Sequence, residues 1–307
     1  MRPGYHAGGL MLHDAETAIE ELASLGFAVV WLTAHRGTLH PDSNDPHAND
    51  NEQAFVDRLQ RLIDVATSRD VRLGFDIDGG FCQSPHHHRG ASMVSVDDAV
   101  SAAGRRWFDR WHTALSRCDG PTTMTFCPGT LEYDDDVDSG LPRGSAVDRM
   151  DHLSMRMGQW WSAVSPCEHV SIALRMRRQT VVAGMADACA LIHHAASRSE
   201  PRDDSSRRDW TDAVGISASV GVMAAAGEFP LGDRLVEQLP RLMSVELCES
   251  YGGRDIVPGE GEIAMPRIIR TLARSNYTGP VVYRVDGHPE RGLEPARIAI
   301  AQYEAAL

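Results

Sequence analysis

Eight short segments of the sequence are apolar on both faces and alternate with stretches of helical periodicity. Such segments are typical of strands in a parallel sheet that is covered on both sides. The predicted strands cover residues 3–7, 28–33, 71–77, 121–127, 169–175, 213–219, 242–248 and 280–285. The predicted helices cover residues 14–25, 50–69, 95–117, 146–164, 181–197, 232–239, 263–275 and 293–305. Eight strand–helix pairs predict an α/β fold, a (β/α)8 barrel that spans residues 1–307 as a single domain.

The competing arrangement is a doubly wound open sheet. A nucleotide-binding sheet of that type carries a GxGxxG turn after a strand. No predicted strand of this chain is followed by such a turn. The barrel is therefore the preferred prediction.

Two segments that follow predicted strands exceed ordinary loop length. Residues 34–49 follow the second predicted strand, and residues 78–94 follow the third. Loops in this position lie at the C-terminal face of a barrel, where active sites form. We therefore predict long loops after strands 2 and 3 beside the functional site. The charged stretch 198–212 precedes a strand instead and is predicted to be a solvated loop on the opposite face.

The basic residues of the chain are all arginines. There are 30 of them and no lysine, against 43 acidic residues, which gives a formal net charge of −13. This charge argues against general binding of nucleic acid or of anionic membranes. The absence of lysine excludes Schiff-base aldolases, pyridoxal-phosphate enzymes and any catalytic lysine. We expect a small-molecule substrate and no nucleic acid or membrane partner, and a homodimer is left open.

The six cysteines are scattered along the chain and form no CxxC pair, so there is no zinc signature. No apolar run approaches the ~18 residues of a membrane span. The N-terminus lacks the basic and apolar regions of a signal peptide. These features predict a cytoplasmic protein with reduced thiols.

The carboxyl-terminal half carries a recognisable set of motifs. The piece PGEGEI at 258–263 is followed by a predicted helix and then by NYTGPVVYRV at 276–285. Together with VGISASVGVMAAAGE at 214–228, it resembles the end of the xylose isomerase-like TIM barrels. AIEELASLGFAVVWLTAH at 18–35 agrees more loosely. This superfamily groups sugar-phosphate isomerases and epimerases with endonuclease IV-type proteins.

The resemblance implies a divalent metal at the barrel mouth, held by carboxylates, histidine and related ligands at the ends of strands 5 to 8. The matching positions here are occupied by Arg175, by Ser219 and Val222, by Glu246 and by Arg284. A guanidinium remains protonated and only donates hydrogen bonds, so it cannot bind a cation. We therefore predict that the family's metal site is gone and that no cofactor is required.

The two arginines suggest that the charge of the site is inverted. Arg175 and Arg284 would bind a carboxylate or phosphate of the substrate bidentately. Arg177 and Arg178, which follow Arg175 in the loop, would extend this anion site. Glu246 or Glu249 would act as general base while the guanidiniums stabilise an enolate-like charge. In the alternative interpretation, the pairs Arg175–Glu246 and Arg284–Glu249 are salt bridges that fill an inactive site.

Further polar residues follow predicted strands and are candidates for the same site. Asp76 ends the third strand, and His35 follows the second, so both are predicted catalytic groups at the mouth. His288, together with Asp286, follows the last strand and is predicted to bind substrate. In an alternative metal site the ligands would be relocated, drawn from His35, Asp76, Asp78, His86, Glu246, Asp255 and His288.

These residues favour a metal-independent isomerase, epimerase or lyase that acts by proton abstraction on a small polar, anionic metabolite. The arginine- and alanine-rich composition suggests a role in specialised biosynthesis. Two other hypotheses stay open: a metal-dependent sugar isomerase or epimerase with relocated ligands, and a non-catalytic barrel that serves as a binding or scaffold protein. An open polar pocket would favour an enzyme, whereas a filled mouth would favour the scaffold.

Overall fold

The computed structural model describes most of the chain. The described residues are 1–10, 13–34, 52–77, 92–95, 97–129, 146–163, 167–177, 180, 182–198, 214–251, 254–286 and 288–307. Four of the candidate residues, His35, Asp78, His86 and Arg178, lie outside them, as do most of the two loops predicted to be long.

Eight parallel strands close into a barrel, as the alternating apolar segments predicted. The strands are β1 (Arg2–His6), β2 (Val29–Thr33), β3 (Arg72–Asp76), β4 (Thr122–Phe126), β5 (Val170–Arg175), β6 (Val214–Ser219), β7 (Leu242–Leu247) and β10 (Pro280–Tyr283). Their order around the barrel is β1–β10–β7–β6–β5–β4–β3–β2. Two short strands, β8 (Ser250–Tyr251) and β9 (Arg254–Asp255), form a separate antiparallel hairpin after β7.

Helices lie between the strands in the described part of the chain. They are α1 (Ala15–Ser24), α2 (Glu52–Ser68), α3 (Asp98–Ser116), α4 (Ala146–Ala163), α5 (Met185–Arg198), α6 (Val220–Ala225), α7 (Leu231–Glu237), α8 (Met265–Arg274) and α9 (Glu294–Ala306). Helix α6 was not predicted, because six residues are too few to show a helical period. In the described part of the chain, no helix combines the length and apolarity that crossing a bilayer requires.

Helix α1 shows how the local sequence sets an element. The Asp14 side chain accepts a hydrogen bond from the Thr17 N–H at 2.7 Å and so caps the helix. Its apolar residues face the barrel and are buried: Ala15, Ala18, Ile19 and Leu22. The chain then turns at Gly26, whose φ of +98° is readily available to glycine. Both ends of the helix thus follow from residues in its own segment.

The core fills the space between the barrel and its helices. Trp111 of α3 packs edge-on against Phe55 of α2, with ring centroids 4.9 Å apart. Phe108 and Trp160 join α3 to α4 in the same way at 4.3 Å. These aromatic pairs bury large apolar areas and hold the helices against the strands.

A small apolar cluster lies inside the barrel, below the C-terminal ends of the strands. Val29, Trp31 and Val282 form a small cluster of buried side chains inside the barrel. The indole of Trp31 fits because residue 74 is glycine, since a Cβ there would overlap the ring. Trp31 and Val282 of this cluster line one small cavity together with the polar residues at the strand ends.

Candidate functional site

Polar side chains converge at the C-terminal ends of the barrel strands, a region that we call the mouth. Because all eight strands are parallel, these ends lie on one rim. The polar residues around the small cavity at the centre of the mouth are His6, Asp76, Thr125, Arg175, Ser217, Ser244 and Glu246. The alternation of inward and outward residues places them there, because each points toward the barrel axis.

Arg175 at the end of β5 is the centre of this cluster. Its Nε and Nη2 donate to the two carboxylate oxygens of Glu246 at 3.1 and 3.0 Å. Its Nη1 donates to Asp76 Oδ2. All three side chains are less than 10% exposed. The structure thus contains the buried Arg175–Glu246 pair that was predicted as one interpretation and adds Asp76 to it.

Asp76, predicted as a catalytic group, is held as an anion. Burial by itself would raise its pKa, but the Arg175 guanidinium and the hydrogen bond with His6 outweigh burial and lower the pKa to about 2. The Thr125 hydroxyl also donates to Asp76 at 3.5 Å. Asp76 does not line the larger cavity above the cluster, which Glu246 borders, and its side chain is almost fully buried, so the geometry favours a role in positioning Arg175.

His6 was missed by the sequence analysis. Its Nε2 lies 3.5 Å from Asp76 Oδ2, and its Nδ1 lies 3.7 Å from Asp286 Oδ1. Burial tends to lower the pKa of His6, but the hydrogen bond with Asp76 and the charge of Asp286 raise it above the ordinary value. The available indication was that His6 ends the first strand, as Asp76 ends the third.

Arg284 lies just beyond β10, on the open side of the cluster. Its Nε donates to Asp286 at 2.6 Å. Its Nη1 lies 3.7 Å from Glu246 Oε1 and 3.8 Å from Asp76 Oδ2. The side chain is 19% exposed, compared with 5% for Arg175. Arg284 is therefore the better placed of the two to meet a ligand that enters the mouth.

The predicted pair Arg284–Glu249 is not formed. The Glu249 carboxylate instead accepts backbone hydrogen bonds from Glu262 and Ile263, at 2.8 and 3.0 Å. These N–H groups precede helix α8 and need acceptors, which the carboxylate supplies. Glu249 thus shapes the loop that contains PGEGEI, and its carboxylate does not pair with Arg284.

His288 and Arg178 are two further residues that were predicted to bind substrate. The ring Nε2 of His288 lies 2.6 Å from the backbone oxygen of Asp255, so His288 fastens the loop after β10 to the β8–β9 hairpin. Arg177 lines the mouth, whereas Arg178 and His35 lie outside the described residues. The arginine that extends the mouth in the described part of the chain is therefore Arg177.

A cavity of about 390 Å³ opens above the central cluster, and we call it the mouth cavity. The described residues that line it are Arg175, Met176, Arg177, Ser219, Gly221, Val222, Glu246, Cys248, Ser250, Asp255, Arg284 and Asp286. Its three arginines face three carboxylates, and Asp76 lies directly beneath. The described walls of the cavity thus carry no excess of positive charge.

The thiol of Cys248 lies beside these groups. Its sulfur lies 3.0 Å from the Ser219 hydroxyl and 3.7 Å from Glu246 Oε1. Burial, and next the charge of Glu246, raise the pKa of the thiol well above its ordinary value. A neutral thiol is a weak nucleophile, so Cys248 serves as a small wall residue.

A second groove, of about 880 Å³, lies beside the mouth between α7, α8 and the loop before α8. It shares Gly221 and Ser250 with the mouth cavity and is lined in part by Glu249 and Glu260. Both carboxylates have structural partners there, because Glu249 caps backbone N–H groups and Glu260 accepts from Arg291 at 2.9 Å. Glu246 and Asp286, two carboxylates that pair with arginines of the mouth, line the smaller cavity instead.

The surroundings of Asp255, a carboxylate of the mouth, disfavour its ionisation. Burial raises its pKa to about 6, the negative charges of Asp286 and Glu246 add to this effect, and a hydrogen bond from the Asp286 N–H opposes it. The Arg284 Nε lies 3.9 Å away, which makes a long ion pair. Asp255 therefore changes its charge close to neutral pH.

This shifted pKa predicts a pH-dependent cost in stability. Because the folded-state pKa lies above the unfolded value, stability is highest when Asp255 is protonated and falls as pH rises from about 4 to about 6. We expect Asp255→Asn to exceed the wild type in free energy of unfolding by about 2 kcal/mol at pH 8, and by much less at pH 4.5. Urea denaturation at both pH values measures this difference, and an equal difference at the two values would contradict the pKa assignment.

The residues at the family's metal positions do not fit a divalent cation. Arg175 and Arg284 present only donors, and the oxygens of Asp76 and Glu246 point at Arg175. Among the described residues, no three histidine, cysteine or carboxylate side chains are grouped to hold a metal ion. Of the seven ligands proposed for a relocated site, His35, Asp78 and His86 lie outside the described residues.

Comparison with known proteins supports the fold prediction. A 3-keto-D-glucoside 4-epimerase from E. coli is 13% identical and superposes over 99% of each chain with a TM-score of 0.67. A D-psicose 3-epimerase from Clostridium cellulolyticum H10 is 14% identical, with 100% of this chain and 96% of that chain covered, at a TM-score of 0.64. A xylose isomerase domain protein from Alicyclobacillus acidocaldarius is 15% identical, with 100% and 98% covered, at a TM-score of 0.63.

No protein-family model matches the chain, and no curated protein matches it. At these low identities, the likeness to solved structures shows the fold alone. The predicted resemblance to the xylose isomerase-like barrels is thus confirmed at the level of the fold.

Proposed function

We propose that this xylose isomerase-like barrel is an isomerase or epimerase that removes a proton beside a carbonyl group without a metal ion. The observation that carries the proposal is the position of Arg284, which lies 3.7 Å from Glu246 Oε1 and faces the mouth cavity. A substrate carbonyl bound to Arg284 would have Glu246 beside it. In this arrangement a guanidinium, instead of a metal ion, polarises the carbonyl.

Glu246 is the general base in this mechanism. Its two oxygens are oriented by Arg175, which is itself fixed by Asp76. As Glu246 takes the proton, negative charge moves from its carboxylate to the substrate oxygen beside Arg284. The charge is thus transferred within one cluster rather than created there, which limits the cost in a buried site.

The charge balance bears on the substrate. The sequence predicted an anionic metabolite, but two of the three arginines of the mouth cavity already have carboxylate partners, since Arg175 binds Asp76 and Glu246 and Arg284 binds Asp286. An uncharged compound with hydroxyl and carbonyl groups suits such a neutralised site better. The neighbouring structures named as epimerases of keto sugars support the same class.

The mouth cavity also bears on whether the protein is an enzyme or a scaffold protein. A barrel without catalytic use is expected to have a filled mouth or an exposed apolar patch. The described residues instead enclose about 390 Å³ lined by charged and hydroxyl groups. This observation favours a protein that binds a small polar molecule.

Solvent exchange by metal-free protein tests the proposal. The chain is purified untagged, treated with chelator and checked for metal by elemental analysis. It is then incubated in D2O with D-fructose, D-psicose, D-tagatose and a 3-keto-glucoside. We expect deuterium to enter the carbon beside the carbonyl of at least one compound, as followed by NMR, because proton abstraction precedes isomerisation. Activity that requires added manganese, zinc or iron would contradict the metal-free mechanism, and the absence of exchange with every compound would contradict the proposed function.

A further inference from the structure

The β8–β9 hairpin brings an additional carboxylate to the mouth. Its strands pair antiparallel, with Ser250 opposite Asp255. A hydrogen bond of 2.7 Å from the Ile256 N–H to the backbone carbonyl oxygen of Glu249 joins the two ends of the hairpin. Asp255, the last residue of the hairpin, lines the mouth cavity with Glu246 and Arg284. A carboxylate from outside the barrel strands thus joins the two groups used by the proposed function.

The loop after β10 holds this carboxylate in place. The Asp286 N–H donates to Asp255 Oδ2 at 3.0 Å, and His288 contacts the Asp255 backbone oxygen at 2.6 Å. The Asp255 side chain is nevertheless 20% exposed and borders the cavity. A fixed group that a ligand can reach is what proton transfer requires.

Arg284 lies between two carboxylates in unlike surroundings. Its Nη1 is 3.7 Å from Glu246 Oε1, and its Nε is 3.9 Å from Asp255 Oδ2. Glu246 is bound bidentately by Arg175, whereas Asp255 accepts a backbone N–H from Asp286, has a long ion pair with Arg284 and faces the negative charges of Asp286 and Glu246. Two carboxyl groups whose environments differ in this way are suited to act as an acid and a base.

We propose that Asp255 is the second proton-transferring residue of the site, acting opposite Glu246. This inference rests on the proposed function. Glu246 accepts the proton as the C–H bond breaks, and the electron pair moves onto the carbonyl oxygen beside Arg284. The protonated Asp255 then donates its proton to the same carbon from the other side, and the carbonyl re-forms. Glu246 is left as a carboxylic acid and Asp255 as a carboxylate, and exchange with solvent restores both.

Asp255→Asn tests this assignment in the D2O assay. Asparagine keeps an oxygen that accepts the Asp286 N–H but cannot deliver a proton. The matched control is Asp233→Asn, because Asp233 is an exposed residue of α7 that lines the second groove and not the mouth cavity. We expect Asp255→Asn to lower formation of the epimer at least about 100-fold. Deuterium should still enter the unconverted substrate at a rate comparable with the wild type, because Glu246 continues to remove the proton.

Two results would overturn the assignment while leaving the proposed function intact. In one, Asp255→Asn forms the epimer as fast as Asp233→Asn does. In the other, the variant folds, as judged by its melting temperature, but loses exchange and epimer formation together. If the wild type exchanges with none of the compounds, the proposed function fails and the assignment fails with it.

Discussion

Replacing Arg175 with methionine is expected to lower the free energy of unfolding by about 3–5 kcal/mol, the cost of breaking a buried ion pair by removing one partner. Methionine fills a similar volume but leaves Asp76 and Glu246, both less than 10% exposed, without the guanidinium that binds them. Urea denaturation at pH 7 measures the loss. Lysine at this position is also expected to destabilise, because it cannot bind Glu246 bidentately.

The exposed pair Arg69–Glu20 provides the control for this variant. Its side chains are 53% and 50% exposed, and Arg69→Met is expected to cost no more than about 1 kcal/mol. Without Arg175, burial raises the pKa of Asp76, so the Arg175→Met variant should lose stability as pH rises through the acidic range. Its deficit relative to the wild type should therefore be larger at pH 8 than at pH 5. A loss no greater than that of Arg69→Met would show that the buried cluster does not require Arg175.

The barrel could be predicted from the sequence because each element carries its own periodicity. The strand predicted at 71–77 is observed at Arg72–Asp76, and the helix predicted at 14–25 is observed at Ala15–Ser24. The hairpin at 250–255 could not be predicted, since two-residue strands have no period to detect. This omission matters because the hairpin delivers Asp255 to the mouth.

The residues at the strand ends could be predicted from one geometric rule, that the C-terminal ends of parallel strands meet at the mouth. The resemblance to the family's metal positions identified Arg175, Glu246 and Arg284, and the structure brings them together with Asp76, which was identified by the rule. The rule applies equally to His6, which was overlooked because a single histidine in a short strand forms no motif.

The Arg175–Glu246 pair was predicted, but the partner of Glu249 could not be, because it depends on the path of the chain after β7. Glu249 lies three residues after Glu246, so the two appeared equally suited to meet an arginine. The chain turns after β7, however, and sends the Glu249 carboxylate to the backbone N–H groups of Glu262 and Ile263. The local backbone, which required acceptors, decided the partner.

Glu246→Gln separates the catalytic interpretation of the cluster from the purely structural one. Glutamine keeps the shape and an oxygen that accepts from Arg175 but cannot take up a proton at neutral pH. We expect the rate of deuterium exchange into an active compound to fall by about 10²- to 10⁴-fold, the usual contribution of a general base. Arg175 keeps its contact with Asp76 and one of its two contacts with residue 246 in this variant, so the protein should remain folded with a reduced free energy of unfolding.

The same substitution at Glu249 is the informative comparison, since the sequence alone gave both residues the same role. Glu249→Gln is expected to alter the loop before α8. The glutamine NH2 would face one of the two backbone N–H groups that donate to the carboxylate, and two donors cannot form a hydrogen bond. Its effect on exchange should be much smaller than that of Glu246→Gln. If Glu246→Gln retains exchange within roughly threefold, about 0.65 kcal/mol of barrier, Glu246 is not the base. Another group at the mouth would then accept the proton, and the Asp76–Arg175–Glu246 cluster would serve stability alone.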